Sequence, residues 1–566
     1  MRFVAVGALA LSIFASNATS QQAAYGTSGA YLAARQAATQ NDYASAAAFY
    51  VEALARDPSN HAHMENALSA YLALGDLPPA LTLGQRMLDT GSNSQIAHMA
   101  MVTAHALDSE YPTLVESFST GTRIGPLVDG LLIGWAHIGA GNFEEGISSF
   151  DAMGERPGLL PFALHHKALA LAYAGDFVGA DDILSGRAAG ELPANRRGLI
   201  AHAMVLSQLG RNDEARAEIA RVMGPDLDAT IGSLDMALAG TETVPFSAVR
   251  DPANGMAEVF YTVAAALDGE AADSYALLYS RLAEQLDTQH IDALLLSAEF
   301  LERLGRPNLA NLTYDRVPRD APEFIAAELG RADALRAADR SDAAVEVLSQ
   351  LAESHPEVAL VHSKLGDTLR RMERYGEAVS AYDAALGLHA TVEPEHWFTY
   401  FARGISYERE DNWDAAEADF RTALDLRPNQ PQVMNYLGYS LVEKKMKLGE
   451  ALQLIEAAAT ARPDNGHILD SLGWVLYRLG RFDEAVGPME TAVELMATDP
   501  IINDHLGDVY WAVGRHTEAK FQWHRALSFD PDPEEATRIR RKLEVGLDVV
   551  LAEEGEEPIE VANDDR

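Results

Sequence analysis

Along most of the chain, apolar residues return every third or fourth position with polar residues between them, which predicts amphipathic helices. The helices are short, because glycine, proline and small polar residues interrupt them again and again. The interruptions are periodic. Leu365-Gly366, Arg403-Gly404, Leu437-Gly438, Leu472-Gly473 and Leu506-Gly507 set glycines 38, 34, 35 and 34 residues apart. Three residues after each glycine comes Leu369, Tyr407, Leu441, Leu476 or Tyr510. A small residue follows (Ala378, Ala416, Ala451, Ala485, Ala519), then a bulky one (Tyr382, Phe420, Ile455, Met489, Trp523). A second alanine comes next (Ala385, Ala423, Ala458, Ala492, Ala526), and Pro428, Pro463 and Pro531 close three of the units.

Each unit therefore predicts two helices that cross at the glycine, where a larger side chain would push the backbones apart. Proline ends the second helix and turns the chain toward the next unit. Weaker versions occur upstream, as in Ala46, Tyr50, Ala53 and Pro58, in Ala310, Tyr314, Val317 and Pro322, and in Gly134 with Phe150. Apolar heptads are not sustained, which excludes a coiled coil.

The pattern resembles the tetratricopeptide repeat, a helix pair with a period of 34 residues. The resemblance implies an all-α superhelical solenoid of antiparallel helix pairs, with about fourteen units between residues 27 and 551. We divide the chain into a divergent N-terminal array (21–240), an irregular connector (241–255) and a C-terminal array (256–531). A capping helix (532–552) and an acidic, disordered tail (553–566) follow. The connector, with Pro245 and Pro252, is expected either to divide an N-terminal arm from a C-terminal arm or to be one long loop. Asp532-Pro533-Glu534-Glu535 reads as a capping box. Ile539, Leu543, Leu547, Val550 and Leu551 form one stripe, and Arg538, Arg540, Arg541 and Lys542 are expected on the solvated face.

The start of the chain breaks the amphipathic pattern. Arg2 precedes an apolar run from Phe3 to Phe14, and Ala18-Thr19-Ser20 offers a small-x-small cleavage site. Residues 1–20 are thus expected to be a signal peptide cut near Ser20, with the mature chain in the periplasm and without a transmembrane segment. The 44 basic and 84 acidic side chains give a net charge of −40, which disfavours nucleic acid and points to other proteins as partners. The chain has no cysteine, so disulfides, thiolate metal sites and a lipid-acceptor cysteine are excluded.

Motifs for chemistry are missing. There is no P-loop, dinucleotide fingerprint, nucleophile elbow or His-Glu-x-x-His. His61 and His63, two residues apart, and the adjacent His165 and His166 do not share a helical face, so neither pair has metal-ligand spacing. The expectation is a non-enzyme with no cofactor and no metal. A metallohydrolase using His61 and His63 is the enzymatic alternative.

In this repeat the first helix of each pair lines the concave groove. The resemblance carries that role to Phe398, Phe401, Asn435, Tyr439, His467, Asp470, Trp474, Tyr477, Asp504, Asp508 and Trp511. Aromatics offer contact area and carboxylates could pair with lysine or arginine, so the expected ligand is a basic or apolar segment of another protein. The alternative is that several of these aromatics are core between repeats.

The stretch Met434 to Trp523, with MNYLGYSLVE, ILDSLGWVLYRLGR and INDHLGDVYWAVGR, resembles the C-terminal repeats of exported proteobacterial tetratricopeptide proteins. Those include an outer-membrane lipoprotein adaptor of a periplasmic carboxyl-terminal processing protease. The resemblance implies a periplasmic scaffold or adaptor that presents envelope proteins to a protease. The alternative is a structural component of an envelope assembly or polysaccharide-export complex.

Overall fold

The computed structural model describes residues 27–188, 195–225 and 227–556. Residues 1–20, and with them the expected signal peptide, lie outside the described residues. Among the described residues every regular element is helical, and the chain forms two compact units, 1–340 and 341–566.

The first unit holds α1 (Thr27–Thr39), α2 (Tyr43–Leu54), α3 (His61–Leu74), α4 (Leu77–Asp89), α5 (Gln95–Leu107), α6 (Tyr111–Thr120), α7 (Pro126–Gly139), α8 (Phe143–Gly154), α9 (Leu160–Tyr173), α10 (Phe177–Leu184), α11 (Arg196–Gln208) and α12 (Asn212–Met223). It continues with α13 (Ala229–Leu238), α14 (Pro252–Leu267), α15 (Asp273–Leu286), α16 (Ile291–Arg303), α17 (Pro307–Tyr314) and α18 (Phe324–Ala337). The second unit holds α19 (Ser341–Ser354), α20 (Ala359–Arg371), α21 (Tyr375–Gly387), a 3-10 turn at Pro394–His396, α22 (Trp397–Arg409), α23 (Trp413–Leu426), α24 (Pro431–Glu443) and α25 (Leu448–Ala461). It ends with α26 (Gly466–Arg478), α27 (Phe482–Leu495), α28 (Pro500–Ala512), α29 (His516–Leu527), α30 (Pro533–Val545) and α31 (Leu547–Glu553).

Helices pair across short turns, and the pairing follows the glycine pattern. A Cβ added to Gly366, Gly404, Gly438, Gly473 or Gly507 would fall 2.4–2.7 Å from Tyr382, Phe420, Ile455, Met489 or Trp523 respectively. The bulky residue of the second helix thus lies directly on the glycine of the first. Those five side chains are buried, as are the alanines before and after them. Glycine supplies the left-handed turn residue between α26 and α27 (Gly480, φ +74°) and between α28 and α29 (Gly514, φ +77°), whereas Glu373, Asp411 and Lys445 adopt it in the equivalent turns.

Within the second unit the first helices of successive pairs approach one another (α20 to α22, α24 to α26, α26 to α28) more closely than the second helices do. That asymmetry puts the first helices on the inner, concave side. The same holds in the first unit for α3 and α5 and for α7 and α9.

The connector does not divide the chain into arms. After Leu238 the chain is irregular only as far as Asp251, whose carboxylate accepts from the Asn254 N–H and, with Pro252 in the first turn, starts α14. Helices α14 and α15 then fold back onto the inner face of the earlier pairs, α14 against α5, α7 and α9, and α15 against α3 and α5. Gly255 allows this, since a Cβ there would sit 2.3 Å from the Trp135 indole. Trp135 is fully buried and donates to His166 Nδ1 at 3.1 Å. Arg281 Nε and Gln285 Nε2 of α15 donate to the carbonyls of Ala73 (3.2 Å) and Gly75 (3.3 Å) at the end of α3. One apolar core consequently runs from Ala34 to Ala334.

The C-terminal segment also differs from expectation. The single capping helix becomes two, because Gly546 (φ +87°) breaks it. Asp532 makes no side-chain cap bond. Residues 553–556, assigned to the tail, instead complete α31 and a turn after it, and Glu556 pairs with Lys445.

Candidate protein-binding groove of the second unit

The first helices α22, α24, α26 and α28 present the residues proposed for the groove, but they divide into three kinds. Phe398 (40% exposed) and His467 are open to solvent. Asn435, Tyr439, Asp504 and Trp511 are half-buried. Phe401, Asp470, Trp474, Tyr477 and Asp508 are buried, so the alternative of core between repeats describes these five better.

Contacts explain the burial. The Phe401 ring lies 6.0 Å from Phe420 and 5.8 Å from Tyr436, bridging two pairs. Trp474 stacks on His505 (4.1 Å) and Tyr477 (4.9 Å), and its Nε1 donates to Glu443 Oε1 at 2.7 Å. His505 Nδ1 donates to Asp470 at 3.0 Å. Burial works against the imidazolium, but the carboxylates of Asp470, Asp504 and Asp508 together outweigh it and hold His505 above its ordinary pKa. Burial also raises the hydroxyl pKa values of Tyr439 and Tyr477.

The carboxylates proposed as partners for a foreign cation are matched within the chain. Lys542 Nζ, fully buried, lies 2.7 Å from both Asp504 and Asp508. Arg538 stands 3.9 and 3.6 Å from the same two groups, and Trp523 Nε1 donates to Asp508 at 2.9 Å. Burial and the neighbouring Asp508 charge hold Asp504 above the usual carboxylate range, against the pull of Lys542. Lys542 thus belongs to the core, and the expectation of a solvated basic face holds for Arg540 but not for Lys542. A buried ammonium requires such pairing, because an unpaired charge is costly to desolvate.

Beyond Gly546, α31 covers the far end of the groove. Leu547, Val550 and Leu551 are buried, Leu547 completely. Trp511 Nε1 donates to Asp548 at 3.0 Å. Glu556 reaches Lys445 (2.7 Å), just past α24, and Arg478 (4.0 Å), at the end of α26. The segment therefore runs back across α28 and α26 toward α24. Sequence reasoning placed Arg538 and Lys542 on the solvated face and missed His505, Lys445, Arg478 and Glu556. The stripe of Ile539, Leu547, Val550 and Leu551 signalled that the segment would pack, though not where.

His61 Nε2 lies 2.8 Å from Thr90 Oγ1, whereas His63 is buried beside the rings of Tyr31 and Tyr50, so the two imidazoles do not converge. Among the described residues no three His, Asp or Glu side chains are grouped to hold a metal ion, and no helix is long and apolar enough to cross a membrane.

The repeats define the class: this is an all-α tetratricopeptide-repeat solenoid protein. Tetratricopeptide-repeat family profiles match residues 31–94, 357–429, 401–465 and 445–500. The chain is similar to the TPR repeat-containing protein PA4667 of Pseudomonas aeruginosa, 28% identical over 187 residues, which are 33% of this chain and 31% of that protein. It is similar over 80 residues to bacteriophage adsorption protein A of Escherichia coli (32% identical, 14% of this chain and 8% of that protein). The chain thus spans about a third or less of the length of these two relatives. Among solved structures, the APC/C hetero-tetramer Cut9-Hcn1 aligns over 91% of this chain and 96% of its own, at 14% identity and a TM-score of 0.38.

Proposed function

We propose that the chain is an exported scaffold that works in the periplasm, holding envelope proteins and presenting them to a carboxyl-terminal processing protease. Tetratricopeptide repeats build surfaces for protein–protein interaction, and that coarser role follows from the repeats themselves. The structural observation that supports a binding role is apolar surface on the first helices of the second unit. Leu360 of α20 (55% exposed) and Phe398 of α22 (40% exposed) stand at the same place in successive pairs, six residues before Gly366 and Gly404, and both are open to solvent. Large apolar side chains held in solvent at repeated positions support a surface that another protein covers. The apolar run from Phe3 to Phe14 supports export, and the sequence from Met434 to Trp523 supports the adaptor role.

The test is affinity capture of the tagged mature protein from periplasm, followed by mass spectrometry, with N-terminal sequencing of the recovered chain. The reading expects a chain beginning near Gln21 and a co-purifying protease or envelope enzyme. Recovery of neither, or a chain that retains Met1 inside the cell, would refute it.

A further inference from the structure

The last repeats show what their groove accepts, because a segment of the chain is seated there. We propose that the seat filled by α31 is a binding site for an acidic amphipathic helix of a partner protein, and that residues 547–556 occupy it as an internal stand-in. The proposal rests on the scaffold reading and names the chemistry of one partner.

Three observations meet at this place. First, α31 buries Leu547, Val550 and Leu551, spaced i, i+3 and i+4, the spacing by which an amphipathic helix lies in a groove, and Leu547 and Leu551 join the apolar core of the repeats. Second, its acidic groups all find donors, two on the repeats (Trp511 and Lys445) and two on the adjoining α30 (Arg538 and Arg541). Asp548 meets Trp511 Nε1 (3.0 Å), Glu553 meets Arg541 (2.6 Å), Glu554 meets Arg538 (2.8 Å) and Glu556 meets Lys445 (2.7 Å). Third, the basic side chains stand together in a chain whose net charge is −40. Their convergence is local, and it complements one sign of ligand.

This reverses the expectation of a basic ligand. Asp504 and Asp508 are met by the Lys542 ammonium at 2.7 Å, while Arg538 and Lys445 lie closer to Glu554 and Glu556 of the seated segment than to the groove carboxylates, so cations remain for an acidic ligand. The seat is also suited to exchange. A helix of seven residues is not stable by itself, so α31 exists only while seated. It hangs from Gly546 (φ +87°), and its ion pairs are exposed and individually weak. A tethered segment competes through its effective concentration, so a partner must bind better than α31 does in isolation.

The experiment uses the full chain carrying Leu547→Ser and Leu551→Ser, which empties the seat and keeps the tether, beside the unaltered chain. The probe is a fluorescently labelled synthetic peptide, Gly546 to Glu556, followed by anisotropy. The proposal expects saturable binding to the double variant, at least tenfold tighter than to the unaltered chain. It also expects a peptide with Glu553→Lys, Glu554→Lys and Glu556→Lys to bind at least tenfold more weakly. Equal binding to both chains overturns the proposal. A lysine peptide that binds as well or better overturns it in favour of a basic ligand. Hydrogen exchange in α24, α26 and α28 is measured on the same samples. Lost protection in the double variant would make α31 a member of the repeat core and would also overturn it. Adding Lys445→Glu to the double variant gives a second reading, with weaker peptide binding and unchanged protection expected. Failure here leaves the scaffold reading standing on the periplasmic capture, which does not use this peptide.

Discussion

Gly507→Ala tests the helix crossing at one of its tight points. The new Cβ would lie 2.4 Å from Trp523 Nε1, 2.5 Å from Cδ1 and 3.2 Å from the Ala519 carbonyl oxygen. The indole cannot swing aside, because it is fully buried and its Nε1 donates to Asp508 at 2.9 Å, under the Lys542 ammonium. Helices α28 and α29 must therefore separate by about 1 Å, and such overpacking costs about 1–3 kcal/mol. Straining a hydrogen bond to a charged group adds about 1 kcal/mol, and the better helix propensity of alanine returns a similar amount. The net loss is about 2 kcal/mol, or roughly a thirtyfold rise in local opening. Global melting is a poor assay, since repeat arrays lose cooperativity and open locally. Hydrogen exchange resolved to single helices is the suitable one. Protection should fall about thirtyfold in α28 and α29 and little in α20 and α21. Gly387→Ala is the control, because its Cβ meets nothing within 4 Å, and it should be neutral or slightly stabilising. Equal exchange in the two variants would refute the crossing argument.

Lys542→Ala leaves Asp504 and Asp508 buried without their closest cation and should cost about 3 kcal/mol or more in the terminal pairs, read by urea-dependent exchange; a loss under about 1 kcal/mol would contradict the buried pairing. Trp474→Ala should cost about 3–5 kcal/mol as a core truncation, so circular dichroism and exchange should change together with any change in binding. The folded-state pKa of His505 lies above its unfolded value of 6.5, so its contribution is complete below that value and disappears as pH rises through the folded one. Protection in α26 and α28, corrected for intrinsic exchange, should therefore decline as pH rises above the unfolded value of 6.5, and His505→Gln should abolish the decline.

The features of the fold that were legible are those fixed by nearest neighbours. Gly366, Gly404, Gly438, Gly473 and Gly507 announce the crossing, and Tyr382, Phe420, Ile455, Met489 and Trp523 are the residues that meet them. A repeat encodes how each pair leans on the next, and that recurs often enough to be read. Segments outside the period carry no such record. Nothing near Pro252 states that α14 will return to Trp135, more than a hundred residues earlier in the chain. The groove was legible as a set of helices but not as a set of accessible side chains. Trp474 and Asp508 occupy first-helix positions, yet His505 stacks on the one and Lys542 pairs with the other. A run such as Arg538 to Lys542 reads as a solvated face by composition, and only the approach of Asp504 and Asp508 from α28 shows why one lysine is buried.

The central claim is that partners dock on the inner face formed by the first helices. A photo-crosslinking amino acid placed at position 398 on α22, or at position 521 on the second helix α29 where Phe521 is 69% exposed, tests it in living cells. The account predicts that illumination joins a partner protein to the chain from position 398 and not from position 521. Capture from 521 alone, or from neither position, would contradict it.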